Sequence, residues 1–390
     1  MSGSDWMVSV HCDWEKCLEA DGGSAWLLCK ERGRPAVSSK LRRTAAGLEC
    51  EEENWAVEAV SPRVLRVSLA PARTVYLLAP SVSYKLAGRV TSLDVSRGGL
   101  GVFSAGGDSV SVWDTQAGTV RRDLAGHLGE VYHSKLFPSG VVALTAGADM
   151  RLKVWNVQTG DCPVTLAGHT GPVTATAIVS RGKNVISVSK DGTARLWSCG
   201  QAKCLGVLLT LTENINCCHL SDSTMFHPLE SAPPSDPSEV ETEDKVLAVG
   251  GEEGTVSVLS VSSRALLQSF SVGSPVNALL LTEDKLYVGC QDGDVHIISQ
   301  AGTEVVRASS SPVLCMMRLE ATDEVLISRQ DGSVTVYMAG GRLELTGSDT
   351  DPVYCLARDD RNVYTGCRDG AVRKYDMTDL VRLVKLCNKK

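Results

Sequence analysis

A recurring offset between an acidic turn and a large apolar residue constrains this chain more than any other feature. In "GADMRLKVWN" Asp149 precedes Trp155 by six positions, and in "SKDGTARLWSCG" Asp191 precedes Trp197 by six. The same offset joins Glu253 to Leu259, Asp292 to Ile298, Asp331 to Tyr337 and Asp369 to Tyr375. Around Trp113 the offset from Asp108 is five, so that turn is one residue tighter or Gly107 holds the slot. The acidic positions 108, 149, 191, 253, 292, 331 and 369 advance by about 40 residues, with one step of 62. Each copy carries short β-rich runs such as "VVALTAG", "NVISVS" and "KLYVGC", a tight acidic turn, and an alternating strand such as "TARLW". Seven copies between about 90 and 376 predict a mainly β chain built as a seven-bladed β-propeller.

Two copies add Gly-His. His127 lies 22 residues before Asp149, and His169 lies 22 before Asp191. With Thr145 and Ser187, each four before its aspartate, these residues resemble the buried hydrogen-bonding tetrad of WD-repeat proteins. A carboxylate inside a blade must be paired, and imidazole, hydroxyl and indole N–H supply the partners. The predicted structural sets are His127, Thr145, Asp149 and Trp155, and His169, Ser187, Asp191 and Trp197. A hydrolase triad is the poorer reading, because the set repeats, includes tryptophan and comes with no G-x-S-x-G elbow.

Four segments fall outside the period. The 62-residue step contains "HLSDSTMFHPLESAPPSDPSEVETEDK", rich in Pro, Ser and acid, which reads as a disordered insertion at about 221–244. Ser231, Ser235 and Ser238 within it are candidate phosphorylation sites. "SVSYKLA" (Ser81–Ala87) could close the ring by completing the last blade; the tail "LVRLVKLCNKK" competes for that role or forms a short helix. Residues 1–80 do not repeat and read as a small α+β domain: an amphipathic helix in "DWEKCLEADGG", then strands, with Trp6, Trp14, Trp26 and Trp55 as its core or a partner groove. The propeller is expected over 81–390.

A net charge of −7 argues against a general nucleic-acid binder and favours a basic partner. The N-terminus lacks a signal-peptide pattern, and no apolar run approaches a membrane span, so the cytosol or nucleus is expected. Fourteen cysteines include no C-x-x-C pair, so spacing predicts neither a zinc site nor any other metal or cofactor. Cys217, Cys315 and Cys355 recur at one repeat position and read as small buried hydrophobes.

The chain resembles the proteasomal ATPase-associated factor family of WD-repeat proteins. The resemblance rests on "DWEKCLEADGGSAWLLC", "RGGLGVFSA", "FPSGVVALTAGAD", "SRGKNVISVSKDGTARLWSCGQAKCLGVL", "DPVYCLA" and "CRDGAVRKYDMTDL". It implies a non-enzymatic assembly chaperone of the proteasome regulatory particle. Such a protein binds the C-terminal domain of an ATPase subunit and restrains association with the core particle, and is expected to be a monomer outside its complexes. The contact face is expected where loops gather at one end of the ring, at Glu130, Tyr132, Lys190, Glu252, Gln291, Gln330, Asp349, Asp351, Tyr354 and Arg368, with the acids and tyrosines meeting a basic partner. A ubiquitin-ligase substrate receptor or a signalling scaffold is the competing reading. The segments "WDTQ", "WNVQ" and "WSCG" lack the W-D-x-R of many such receptors, and no nucleophile, phosphate-loop or metal motif points to an enzyme.

Overall fold

The computed structural model describes residues 6–388 except 20–21, 32–33, 46, 70–72, 87, 223–224, 227–235, 308 and 339–340. Strands dominate, and they fall into eight sheets among the described residues. Seven of these are numbered here by their place in a ring. Sheets one to five each take four consecutive antiparallel strands, spanning 92–125, 131–167, 173–210, 215–271 and 276–306. Sheet six spans 313–345, and sheet seven spans 353–376 plus the distant strand Val82–Lys85. The innermost strands neighbour one another in chain order, and Val353–Arg358 returns to Ser92–Val95 to close the cycle. This WD-type, strand-rich ring is consistent with a β-propeller.

Closure is settled by backbone pairing. Val82–Lys85 runs antiparallel to Ala371–Asp376, with Val372 opposite Tyr84 and Arg373 opposite Ser83. The tail instead forms the helix Met377–Asn388, and Leu380, Leu383, Val384 and Cys387 are buried on one face of it. Ala87, the last residue of the expected closing segment, lies outside the described residues. Tyr84 seals the seam: its ring meets Trp113 edge-on at 5.3 Å, Trp113 meets Tyr364 at 5.9 Å, and its hydroxyl donates to the Thr115 carbonyl at 3.0 Å.

Hydrogen bonding does not break at residue 80. Residues 6–50 form a four-stranded sheet with the short helix Trp14–Glu19. The strands Trp55–Ser61, Val64–Leu69 and Arg73–Leu78 instead extend sheet six to seven strands, through a parallel pairing of Arg73–Leu78 with Arg342–Leu345. Period-two alternation explains why this extension belongs to both bodies. Leu65, Val67, Leu69, Val75 and Leu77 face the N-terminal sheet and share a core with Trp6, Val8, Trp14 and Leu27. Val64, Tyr76 and Leu78 point the other way, into a core with Leu343, Leu345, Leu380 and Leu383. Trp6 and Trp14 are thus core residues, while Trp26 and Trp55 are only half-buried.

The described part of the insertion is ordered rather than loose. Asn184 donates to the Ser238 carbonyl at 3.0 Å and accepts from Val240 N–H at 2.8 Å. Buried Glu239 receives Arg264 at 2.8 Å. Polar composition predicted disorder here because it hid these specific partners on sheets three and four. Ser231 and Ser235 lie outside the described residues, and Ser238 is half-buried. Among the described residues no helix is long and apolar enough to cross a membrane.

Candidate functional site

The two tetrads form complete relays. Trp155 Nε1 donates to Thr145 Oγ1 at 2.8 Å, Thr145 Oγ1 lies 2.6 Å from His127 Nε2, and His127 Nδ1 lies 2.8 Å from Asp149 Oδ2. Trp197, Ser187, His169 and Asp191 repeat this at 2.8, 2.7 and 2.8 Å. Only one tautomer satisfies the chain: the hydroxyl donates to Nε2, and Nδ1–H donates to the carboxylate. Asp149 also accepts Leu128 N–H, and Asp191 accepts Thr170 N–H, so each network pins the loop entering its own sheet. Burial pushes both imidazoles down despite their carboxylate partners. Burial opposes ionisation of Asp191, but the Thr193 hydroxyl, Thr170 N–H and His169 outweigh it and hold the carboxyl below its ordinary range. Thr145 and Ser187 are wholly buried, so no substrate reaches either hydroxyl. Trp113 differs from both: its buried Nε1 has no hydrogen-bond partner among the described residues.

A repeated backbone device builds one end of the ring. In sheets two to seven the innermost strand begins with a register shift, as between Val131 and His133 or Val353 and Cys355. The residue skipped by each shift is Tyr132, Thr174, Asn216, Asn277, Leu314 or Tyr354. Thr174, Asn216 and Asn277 use this position to stitch sheets together, donating to the carbonyls of Ile215 at 2.8 Å, Val276 at 3.2 Å and Val313 at 3.1 Å. Tyr132 and Tyr354 line the central cavity of about 730 Å³, whose wall also includes His133, Lys135 and His219. Burial, then the Lys135 ammonium, pushes His133 and His219 down to about 3.

At the same end, Lys190, Glu252, Gln291, Gln330 and Arg368 occupy equivalent positions. Each donates its backbone N–H to the residue preceding the innermost strand of its sheet: Pro172, Asn214, Pro275, Pro312 and Pro352. All five are exposed, as is Tyr132. The recurring Pro-Val at 172, 275, 312 and 352 is a sequence signal for this rim that the acidic spacing does not capture.

Three predicted acids are already partnered, Glu252 by the Asn214 side-chain amide, which donates to it at 2.5 Å. Glu130 is ion-paired with Arg89 at 2.5 Å, and the Arg89 charge also feels Tyr354 and Tyr132. Asp349 accepts the Cys12 N–H at 2.7 Å, which draws it under the N-terminal sheet. Glu130, Asp349, Asp351 and Tyr354 are half-buried. Arg89 joins Lys190 and Arg368 in interrupting the acids, so the face carries mixed charge. Leu128, 86% exposed, and Met150, 40% exposed, add apolar area beside Glu130 that carried no signal in the repeat. Of the recurring cysteines, Cys217 and Cys355 are buried and Cys315 is half-buried.

Comparison with known proteins follows the same lines. A model of the WD domain, G-beta repeat, matches residues 118–156, 160–198 and 342–376. Each match takes the fourth strand of one sheet and the inner three of the next, which is why the closing strand must come from elsewhere. Proteasomal ATPase-associated factor 1 of Homo sapiens is 36% identical over 389 residues, covering 96% of this chain and 99% of the relative. The Bos taurus protein of that name is 36% identical over 390 residues, with 96% of this chain and 99% of the relative covered. The Gallus gallus protein is 34% identical over 391 residues with the same coverage.

Proposed function

Because the chain belongs to the proteasomal ATPase-associated factor 1 family, we propose that it binds a proteasomal ATPase subunit as a non-enzymatic assembly factor. The observation that carries this reading is identity sustained over 96% of the chain, including the segments outside the WD repeats. In this reading the protein holds the C-terminal domain of one ATPase subunit while the regulatory-particle base is built, and restrains association with the core particle. It works as a monomer in the cytosol or nucleus, with the seven ring sheets as the blades of one propeller over 81–390 and residues 1–80 as its N-terminal attachment.

The rim formed by Tyr132, Lys190, Glu252, Gln291, Asp351, Tyr354 and Arg368, with Glu130 and Arg89, is the contact face. Its support is physical. A closed, stitched ring holds these side chains on a fixed backbone, so little ordering entropy is lost when a partner docks. Exposed Tyr132, Leu128 and Met150 supply apolar anchors, and alternating charges around them set register and on-rate more than affinity.

Affinity purification of the full chain from cells, followed by mass spectrometry, tests the reading. ATPase subunits of the base are expected without core-particle subunits; recovery of a cullin adaptor in their place would overturn it. Tyr132→Ala with Tyr354→Ala should weaken capture of the ATPase subunit by roughly 10- to 100-fold. Glu252→Lys with Asp351→Lys should change the salt dependence of capture. Among the described residues these acids have no partner in the N-terminal sheet, so they probe the face more cleanly than Asp349.

A further inference from the structure

We infer that His11, Cys12 and Asp349 form a zinc site, with Cys17 turning in as the fourth ligand, that clamps the N-terminal sheet to the ring. Donor atoms of His11, Cys12 and Asp349 all lie within 4.8 Å of one another. Cys17 Sγ lies 3.7 Å from His11 Nδ1 but outside the common spacing of the other three donors, so its side chain must turn toward them to bind. A tetrahedral zinc with Zn–S near 2.3 Å and Zn–N near 2.05 Å places those two donors about 3.6 Å apart, so this pair already has coordination spacing. One nitrogen, two sulfurs and one carboxylate oxygen suit a borderline-soft tetrahedral ion better than calcium or magnesium, which take oxygen shells.

The site is built by two separate parts of the chain. The turn after Trp6–Val10 is fixed by Trp14 N–H donating to the His11 carbonyl, which starts the helix that carries Cys17. Asp349 sits on the loop between Arg342–Leu345 and Val353–Arg358, and Cys12 N–H holds one of its oxygens at 2.7 Å. The Cys12 thiol also hydrogen-bonds this carboxylate, a contact a metal would replace, and Asp349 makes no ion pair with Lys or Arg among the described residues. All four residues are half-buried, so an ion can enter from solvent. On binding, each thiol gives its proton to bulk water and its sulfur lone pair to the metal, with no redox change. Local Cys spacing predicts no zinc site, because one ligand lies 337 positions from its neighbour.

The test uses the full chain stripped of metal by chelation and kept reduced. Cobalt(II) is expected to bind with one equivalent, giving thiolate-to-cobalt absorption in the near ultraviolet and tetrahedral bands in the visible, and zinc should displace it. Zinc should also slow hydrogen exchange in 6–19 and 346–351 together. His11→Ala with Cys12→Ser should weaken zinc binding at least 100-fold, and Asp349→Asn about 10-fold. Wild-type protein without the thiolate band overturns the proposal, as does unchanged affinity in a folded His11→Ala, Cys12→Ser variant. If that variant fails to fold, the wild-type exchange pattern decides: protection elsewhere, without these two segments, rejects the site.

Discussion

At the scale of single residues, hydrogen bonds separate tryptophans that look alike in sequence. Trp155 and Trp113 are both buried, but only Trp155 donates its indole N–H. Trp155→Phe should therefore cost about 1–2 kcal/mol more than Trp113→Phe in urea unfolding, because it leaves Thr145 short of a donor. Histidine sets the acid limit. His127, His169, His133 and His219 all titrate below their ordinary value in the fold. Each takes up a proton in the unfolded chain first, so stability is complete above about pH 6.5 and falls as pH drops below it. His133 and His219, held near 3, keep contributing to that loss down to about pH 3. By pH 5 each should have cost on the order of 1 kcal/mol, with the wet cavity wall softening the effect, and a thermal melt at pH 7 and 5 measures it. The tetrads were legible beforehand because their members recur at fixed offsets. Arg89 with Glu130 and Cys12 with Asp349 were not, since a pair formed once between unrelated segments leaves no period.

At the scale of elements, backbone pairing decides between the two closing segments, and residue spacing explains the outcome. "VSYK" tolerates an extended edge strand, whereas Leu380, Leu383, Val384 and Cys387 recur at helical spacing and bury one face. The tail therefore caps sheets six and seven as a helix and leaves the edge of Ala371–Asp376 to Val82–Lys85. Tyr84→Ala should cost about 2–3 kcal/mol by removing the ring against Trp113 and the bond to Thr115. Hydrogen exchange should then accelerate first in 82–85 and 371–376, and uniform acceleration through all sheets would count against a local latch. The insertion teaches the converse lesson. Its composition resembles disordered chain, yet one buried asparagine, Asn184, binds its returning arm on both a carbonyl and an amide.

For the molecule as a whole, the N-terminal sheet is part of the ring's support. Arg342 packs over Trp6 at 5.2 Å and pairs with Glu344 at 2.7 Å, while Glu344 also receives Val8 N–H at 3.4 Å. Buried Arg329, pushed down to about 10 mainly by desolvation, stays charged at neutral pH beside this group. A chain beginning at residue 51 would leave Leu65, Val67, Val75 and Leu77 uncovered. At about 1.5–3 kcal/mol per side chain, that exposure rivals the stability of a typical domain. Such a truncation should elute as aggregate on size exclusion and bind a hydrophobic dye; a compact, dye-silent monomer would show that the ring stands alone.

Closing the circle with Val82–Lys85 also sets a clock on synthesis. That strand leaves the ribosome early, yet its partner, Ala371–Asp376, emerges almost 300 residues later. At roughly 5–20 residues per second, the wait is on the order of 15–60 seconds. Through that interval Arg73–Leu78, whose mate is Arg342–Leu345, also carries an open edge. The chain is thus exposed, while it is being made, to the mispairing that holdase chaperones prevent.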